Sequence, residues 1–329
     1  MLVLSGADVK RALPMKVAIE GMKQAFAALS AGRAEVPLRV HLPAEARDGV
    51  TLVMPALVED QQGQSLAVKV VSLFAGNARR GLPRLQAAVL LLEADTGRPI
   101  ALLEGATLTA IRTGAASGAA TELLARPESR TAAIFGAGVQ ARTQLEAICS
   151  VRAIETVWVY DPIRAAMERL VAEMAGQGPV PSDLRPAVDP QQAVRDADII
   201  CTATTFTTPV FSDADLKPGV HINAVGSYQP EVQEIPAATV ARALLVVDSR
   251  DAALAETGDL IHPIRQGLIG PEHIHAELGE LVLGRKTGRR SAEQITLFKA
   301  VGVAVQDAVA ARLALEHARL CGLGQQVAW

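Results

Sequence analysis

The sequence predicts a mixed α/β protein in two parts, and three observations carry that expectation. At 329 residues the chain is long enough for two domains, at about 100–200 residues each. Its pattern changes near Thr113, from short β-prone runs split by turns to strands alternating with helices. The second regime opens with a buried strand that runs into a glycine turn and then a helix.

Residues 7–32 read as one helix, because Ala18, Met22, Phe26 and Leu29 recur at three- and four-residue steps and Gly32 is placed as a stop. From Val36 the period shortens. Strands are expected at Leu38–Leu42, Thr51–Met54, Ala67–Leu73, Gln86–Glu93 and Pro99–Glu104. The turn signals between them are Arg47-Asp48-Gly49, the polar Asp60–Ser65 stretch, Asn77–Pro83 and Asp95–Pro99. Thr113–Ala125 reads as a small-residue helix. Then come strand Thr131–Phe135, helix Val139–Ile148, strand Thr156–Tyr160, helices Arg164–Ala175 and Pro190–Ala197, and strands Ile199–Thr202, His221–Val225 and Ala243–Val247. Such alternation implies a parallel sheet covered on both faces. A last helix, about Leu297–Leu320, is apolar on one face and is expected to return to the first domain. The expected domains are residues 1–112 with 305–329, and 113–304.

Composition excludes several functions. Hydrophobic residues make up 50% and aromatics 3%, so the core is aliphatic and base-stacking platforms are disfavoured. The net charge of −3 argues against a general nucleic-acid binder but leaves room for a local cationic pocket. Cys149, Cys201 and Cys321 form no zinc or redox spacing and suit a reducing compartment. The start shows no signal peptide, and no apolar run reaches about 18 residues. The expectation is a cytoplasmic protein with no membrane or nucleic-acid partner and no metal.

Ala132–Ala141 fits G-x-G-x-x-A. Gly136 permits the tight turn, Gly138 lets the backbone approach a pyrophosphate, and Ala141 lets helix and strand pack closely. Asp161 ends the next strand, about 20 residues on, as a dinucleotide fingerprint requires. It would bond the adenosine ribose and favour NAD over NADP, although Arg164 nearby could pair with a 2′-phosphate. The plainer alternative is a glycine turn that binds nothing, with Asp161 as a helix cap. Two further strand ends, Cys201–Thr205 and Ala224-Val225-Gly226-Ser227, would face the same cofactor, with Gly226 allowing close backbone approach near the nicotinamide. Both are equally readable as ordinary strand ends.

Arg39, Lys69 and Arg112 form a cationic set. Lys69 interrupts an apolar strand, and Arg112 precedes a helix start, where the dipole disfavours a cation. Each alone reads as a solvated charge; together they match a small carboxylate.

Lys69 and Arg112 lie in stretches that resemble the ornithine cyclodeaminase/mu-crystallin family, and the resemblance runs over nearly the whole chain. The stretches are Ala67–Val71, Asp95–Pro99, Leu108–Ala115, Phe135–Ala141, Asp198–Thr202, Ile222–Gly226 and Ile295–Gly302. The resemblance implies a Rossmann NAD(P)-binding domain and a discontinuous α+β substrate domain whose sheet pairs with a dimer mate. It implies that Arg39, Lys69 and Arg112 hold the substrate carboxylate, with Tyr228 and Val301 also in the substrate site. It further implies that Val139, Gln140, Asp161 and Thr202 bind the dinucleotide together with Gly136, Gly138, Arg112, Val225, Gly226 and Ser227.

Two departures bear on the reaction. Tyr228 stands where the cyclodeaminases carry an aspartate for the substrate amine, and Leu52-Val53 precede Met54-Pro55 where they carry an acid. A cationic δ-amine would be buried unpaired, at a cost of several kcal/mol. Arg84 also replaces a threonine that those enzymes keep near the cofactor. The chain looks most like reductases of Δ1-pyrroline-2-carboxylate and Δ1-piperideine-2-carboxylate, which use NAD(H) or NADP(H) to make L-proline or L-pipecolate. In that reaction Lys69 is the candidate proton donor, since arginine stays charged. The alternatives are an alanine dehydrogenase, an ornithine cyclodeaminase, and a non-enzymatic ligand binder, as mu-crystallin is for thyroid hormone. His221, the His273-Ile274-His275 run and Cys201 read as structural, the run as a surface loop.

Overall fold

The computed structural model describes residues 1–60 and 62–329; residue 61, inside the turn expected at Asp60–Ser65, lies outside the described residues. The chain divides into two compact units, Met1–Arg112 with Val303–Trp329, and Thr113–Gly302. The return thus begins at Val303, where the sequence reading places it at 305.

The first unit runs through β1 (Leu2–Leu4), α1 (Gly6–Ala12), α2 (Met15–Ser30), β2 (Ala34–Glu35), β3 (Val40–Ala44), β4 (Gly49–Asp60), β5 (Gly63–Phe74), β6 (Leu85–Leu92), β7 (Pro99–Glu104) and the start of α3 (Gly105–Leu124). The second holds β8 (Thr131–Phe135), α4 (Val139–Val151), β9 (Thr156–Tyr160), α5 (Arg164–Met174), β10 (Asp183–Pro186), α6 (Pro190–Val194), β11 (Ile199–Thr202) and β12 (His221–Ala224). It continues with α7 (Ala237–Arg242), β13 (Leu244–Val247), α8 (Arg250–Glu256), α9 (Gly258–Arg265), β14 (Ile274–Glu277), α10 (Leu278–Val282) and β15 (Thr296–Lys299). The chain returns as α11 (Ala304–Cys321) and β16 (Gln325–Gln326).

Three expected helices change. The run 7–32 is split, because Pro14 is extended (φ −58°, ψ 144°) and cannot carry a helix through. The small-residue helix starts at Gly105, where the Glu104 carboxylate accepts the N–H groups of Ala106 and Thr107. Arg112 therefore lies inside α3, not ahead of a helix. The last helix starts at Ala304, because residues 296–299 form the buried strand β15 and Gly302 turns the chain at φ +82°. A short apolar run is ambiguous between strand and helix.

The first unit's sheet has the order β16-β1-β7-β6-β5-β4-β2, with β3 also on β4. It is antiparallel from β4 to β7, and α11 and α2 pack against it. Leu52, Met54, Lys69 and Val89 are buried, while Val40, Leu42 and Val70 are exposed.

The second unit's sheet is parallel throughout, in the order β10-β9-β8-β11-β12-β15-β13-β14. It is buried on both faces. Ala132 and Ile134 pack with Leu145 and Leu170 on one side; Ala133 and Phe135 pack with Ile222 and Leu245 on the other. The order reverses between β8 and β11, the position where open α/β sheets bind ligands.

Candidate functional site

In the first unit, Lys69 is the middle of β5, between Met54 of β4 and Val89 of β6. Its ammonium lies 2.7 Å from Asp307 Oδ2, with both side chains 2% exposed. Asp307 Oδ1 accepts a hydrogen bond from Arg112 Nε at 3.2 Å. Arg112 Nη1 donates to Gln306 Oε1 at 2.8 Å, and the same oxygen accepts the Val303 N–H at 3.0 Å. Asp307 belongs to the first turn of α11, where the helix end favours a carboxylate.

One carboxylate thus sits between two cations. Burial pushes the Lys69 ammonium down to about 8; Asp307 opposes that shift, while the charges of Arg112 and Arg39 add to it. Arg39, half-buried ahead of β3, belongs to the same electrostatic group. A lysine poised there carries a proton at neutral pH and releases it readily, as a general acid must. Sequence reasoning does not single out Gln306 or Asp307. The available signal is a carboxylate in an otherwise buried aliphatic helix, which needs a cation.

In the second unit, Gly136 adopts φ +95°, and a Cβ there would come within 2.6 Å of the Ala203 carbonyl oxygen. Gly138 faces open space, with no atom within 4 Å of where its Cβ would be. Val139, the first residue of α4, is exposed, and Gln140 Oε1 is buried with no hydrogen-bond partner. Arg142 Nη1 donates to the carbonyls of Ala137 and Gly138 at 2.8 and 2.9 Å, while Glu173 accepts from its Nε. That clasp is invisible to a motif search.

Asp161 accepts the N–H groups of Ala137 and Ile163 at 3.0 and 2.9 Å, one on each oxygen. Each oxygen keeps acceptor capacity for a ribose hydroxyl. Arg164 pairs with Glu168 along its own helix at 2.8 Å. A cleft of about 180 Å³ opens at these strand ends, lined by Phe135, Tyr160, Thr204 and Phe206. The open cradle at Gly138, the unpartnered Gln140 and the placed carboxylate fit a dinucleotide.

The other sequence-selected positions behave differently. The Thr202 hydroxyl donates to Glu234 Oε2 at 3.1 Å, and the Ser227 hydroxyl shares a bond with Thr257 Oγ1 at 2.7 Å. Gly226 and Ser227 give their N–H groups to Glu234 as well. A Cβ on Gly226 would overlap the Glu234 carboxylate. Val225 gives its N–H to the Thr202 carbonyl. Tyr228 is half-buried in the loop after β12. Val301 and Gly302 donate their N–H groups to Asp248 Oδ2.

His221 is buried between Thr296 and Asn223, and burial pushes its pKa down to about 3. Burial pushes the Cys201 thiol up to about 12. His273 closes a short turn and His275 lies in β14, not in a loop, and each ring meets a carbonyl oxygen. Among the described residues no three His, Cys, Asp or Glu side chains gather for a metal, and no helix is long and apolar enough to cross a membrane.

Comparison with known proteins bears on both sites. The model of the ornithine cyclodeaminase/mu-crystallin family matches residues 1–320. A Δ(1)-pyrroline-2-carboxylate reductase of Bacillus cereus is 42% identical over 334 residues, covering 99% of each chain. The structure of the Thermococcus litoralis Δ(1)-pyrroline-2-carboxylate reductase in complex with NADH and L-proline superposes with a TM-score of 0.95, at 44% identity, over 99% of this chain and 100% of that one. An alanine dehydrogenase of Archaeoglobus fulgidus is 32% identical over 326 residues, covering 99% of this chain and 98% of its own.

Proposed function

The chain belongs to the ornithine cyclodeaminase/mu-crystallin family, and from that premise we propose that it reduces Δ1-pyrroline-2-carboxylate to L-proline, the six-membered Δ1-piperideine-2-carboxylate to L-pipecolate, or both. The observation that carries this is the Lys69–Asp307–Arg112 cluster, a buried positive group holding one lysine poised near neutral pH.

In this reading Arg39 and Arg112 hold the substrate carboxylate. Two nitrogens of Arg112 are already engaged by Asp307 and Gln306, which aims the guanidinium and leaves Nη2 as donor. Lys69 gives its proton to the imine nitrogen and takes up another before the next turnover. Asp307 favours the charged lysine against its burial. Bound NAD(P)H supplies the hydride that the imine carbon takes up, so C=N gains one hydride and one proton. Gly136, Gly138, Val139, Gln140 and Asp161 are the residues that would hold the dinucleotide.

Ahead of Met54, where an ornithine cyclodeaminase carries an acid, this chain has an aliphatic residue. Leu52 shares the buried face of β4 with Met54, the register partner of Lys69, so an apolar side chain stands there. Residues Met1–Arg112 with Val303–Trp329 then form the substrate-binding domain and Thr113–Gly302 the NAD(P)-binding domain. The outer face of the first unit's sheet, with Val40, Leu42 and Val70 exposed, supports pairing with a second copy of the chain. The three cysteines are free, which suits a cytoplasmic enzyme.

The test is a steady-state assay of both imines with NADH and NADPH. Oxidation of either cofactor without ammonia supports the proposal; no turnover in all four combinations overturns it. Turnover only with pyruvate and ammonia would make it an alanine dehydrogenase.

A further inference from the structure

Glu234 is a buried carboxylate on the loop between β12 and α7, and nothing in the chemistry above uses it. It accepts five hydrogen bonds. Oε1 takes the Thr204 N–H at 2.8 Å and the Thr204 hydroxyl at 2.7 Å. Oε2 takes the Thr202 hydroxyl at 3.1 Å and the N–H groups of Gly226 and Ser227 at 2.7 and 3.1 Å. These donors belong to the ends of β11 and β12, neighbours in the sheet.

The loop is itself anchored. The N–H groups of Glu234 and Ile235 donate to Asp259 Oδ1 at 2.7 and 3.0 Å. Asp259 Oδ2 pairs with Lys299 Nζ at 2.9 Å, both side chains fully buried. Lys299 ends β15, the strand beyond β12. The network ties together the ends of three adjacent strands.

One peptide plane connects this network to the glycine turn. The Thr204 N–H points at Glu234, so the Ala203 carbonyl on the same trans peptide points the opposite way. That carbonyl oxygen is the atom a Cβ on Gly136 would approach to 2.6 Å. Thus Glu234 sets the peptide on which the turn of the dinucleotide motif packs. A buried ionic cluster adds little stability over apolar packing, so stability alone is a poor reason to keep it.

We infer that Glu234 is the positioning residue of the dinucleotide site, holding the strand ends β11 and β12 against the Gly136 turn. This rests on the cofactor reading above. Glu234→Gln keeps the shape but turns an amide toward one set of donors, so that at least one of the three backbone N–H groups loses its acceptor.

The experiment is NADH titration by fluorescence, without imine, on the whole protein. Wild type is expected to bind, and Glu234→Gln to bind about tenfold or more weakly, as the loss of charge-assisted bonds implies. In turnover the variant should raise KM for NADH and leave KM for the imine unchanged. Asp198→Asn is the comparison. Asp198 is also a largely buried carboxylate accepting backbone N–H groups, from Arg130 and Thr131, at the opposite ends of the strands. It should lower Tm without changing NADH affinity. If Glu234→Gln fails to fold, Asp259→Asn, which hydrogen-bonds the Glu234 backbone and not its carboxylate, is expected to weaken NADH about threefold. Wild type without NADH binding overturns the cofactor reading and this inference together. Wild-type binding with unchanged affinity in the variants that fold, or equal losses in Asp198→Asn, overturns this inference alone.

Discussion

Lys69 and Asp307 meet at 2.7 Å in the interior of the first unit, one from the middle of a strand and the other from the first turn of the last long helix. The pair makes the lysine usable, because burial alone would strip its charge and the carboxylate restores part of the preference for it.

The first prediction is a pH profile. The reductive kcat/KM should stay level up to about pH 8, where Lys69 titrates, and fall about tenfold per pH unit beyond it. Lys69→Ala should cost about 10²–10⁴-fold. Lys69→Arg, which stays charged, should remove the inflection. A profile of Lys69→Arg that matches wild type would rule the lysine out as proton donor.

Asp307→Asn should move that inflection to lower pH, because the group that favours the charged lysine is gone. It should also destabilise the fold by roughly 3–5 kcal/mol, the cost of leaving a buried charge unpaired. Urea titration beside the kinetic profile checks both.

The buried His221 predicts an acid limb in stability. Its pKa is about 3 in the fold and 6.5 in the open chain, so the unfolded state binds the extra proton between those values. Stability therefore rises with pH from about 3 to 6.5 and is lost on acidification, by up to one proton's slope, about 1.4 kcal/mol per pH unit. His221→Gln should flatten that limb in thermal melts recorded from pH 4 to 7.

Asp161 predicts the cofactor preference. With its carboxylate fixed by Ala137 and Ile163 and Arg164 paired to Glu168, a 2′-phosphate would meet a negative charge. Wild type should favour NADH, and Asp161→Ala should reduce the NADH-to-NADPH ratio of kcat/KM by about tenfold or more. An unchanged ratio would place the ribose elsewhere.

The exposed apolar face of the first sheet predicts a dimer. Val70→Glu, in the middle of β5 on that face, should shift the mass measured by light scattering toward the monomer while leaving far-UV circular dichroism intact.

Much of this was legible in the residues. Thr131–Phe135, Thr156–Tyr160 and Ile199–Thr202 are strands at the residues expected, since β-branched and apolar runs bounded by turn signals report local geometry. The glycine turn was equally local, as Gly136 needs its positive φ wherever the chain goes. Where neighbours in sequence were ambiguous, as at residues 296–299 or around Arg112, the local pattern pointed to the wrong element or position.

The alternating unit, the glycine turn and the cations Arg39, Lys69 and Arg112 could be picked out from the residues alone. The partners of those charges came only with the fold. Arg112 finds Asp307 across 195 residues, and Gly226 is a glycine because Glu234 lies against it. Backbone propensity is set within a few residues, whereas the meaning of a buried charge is set by the partner that folding brings to it.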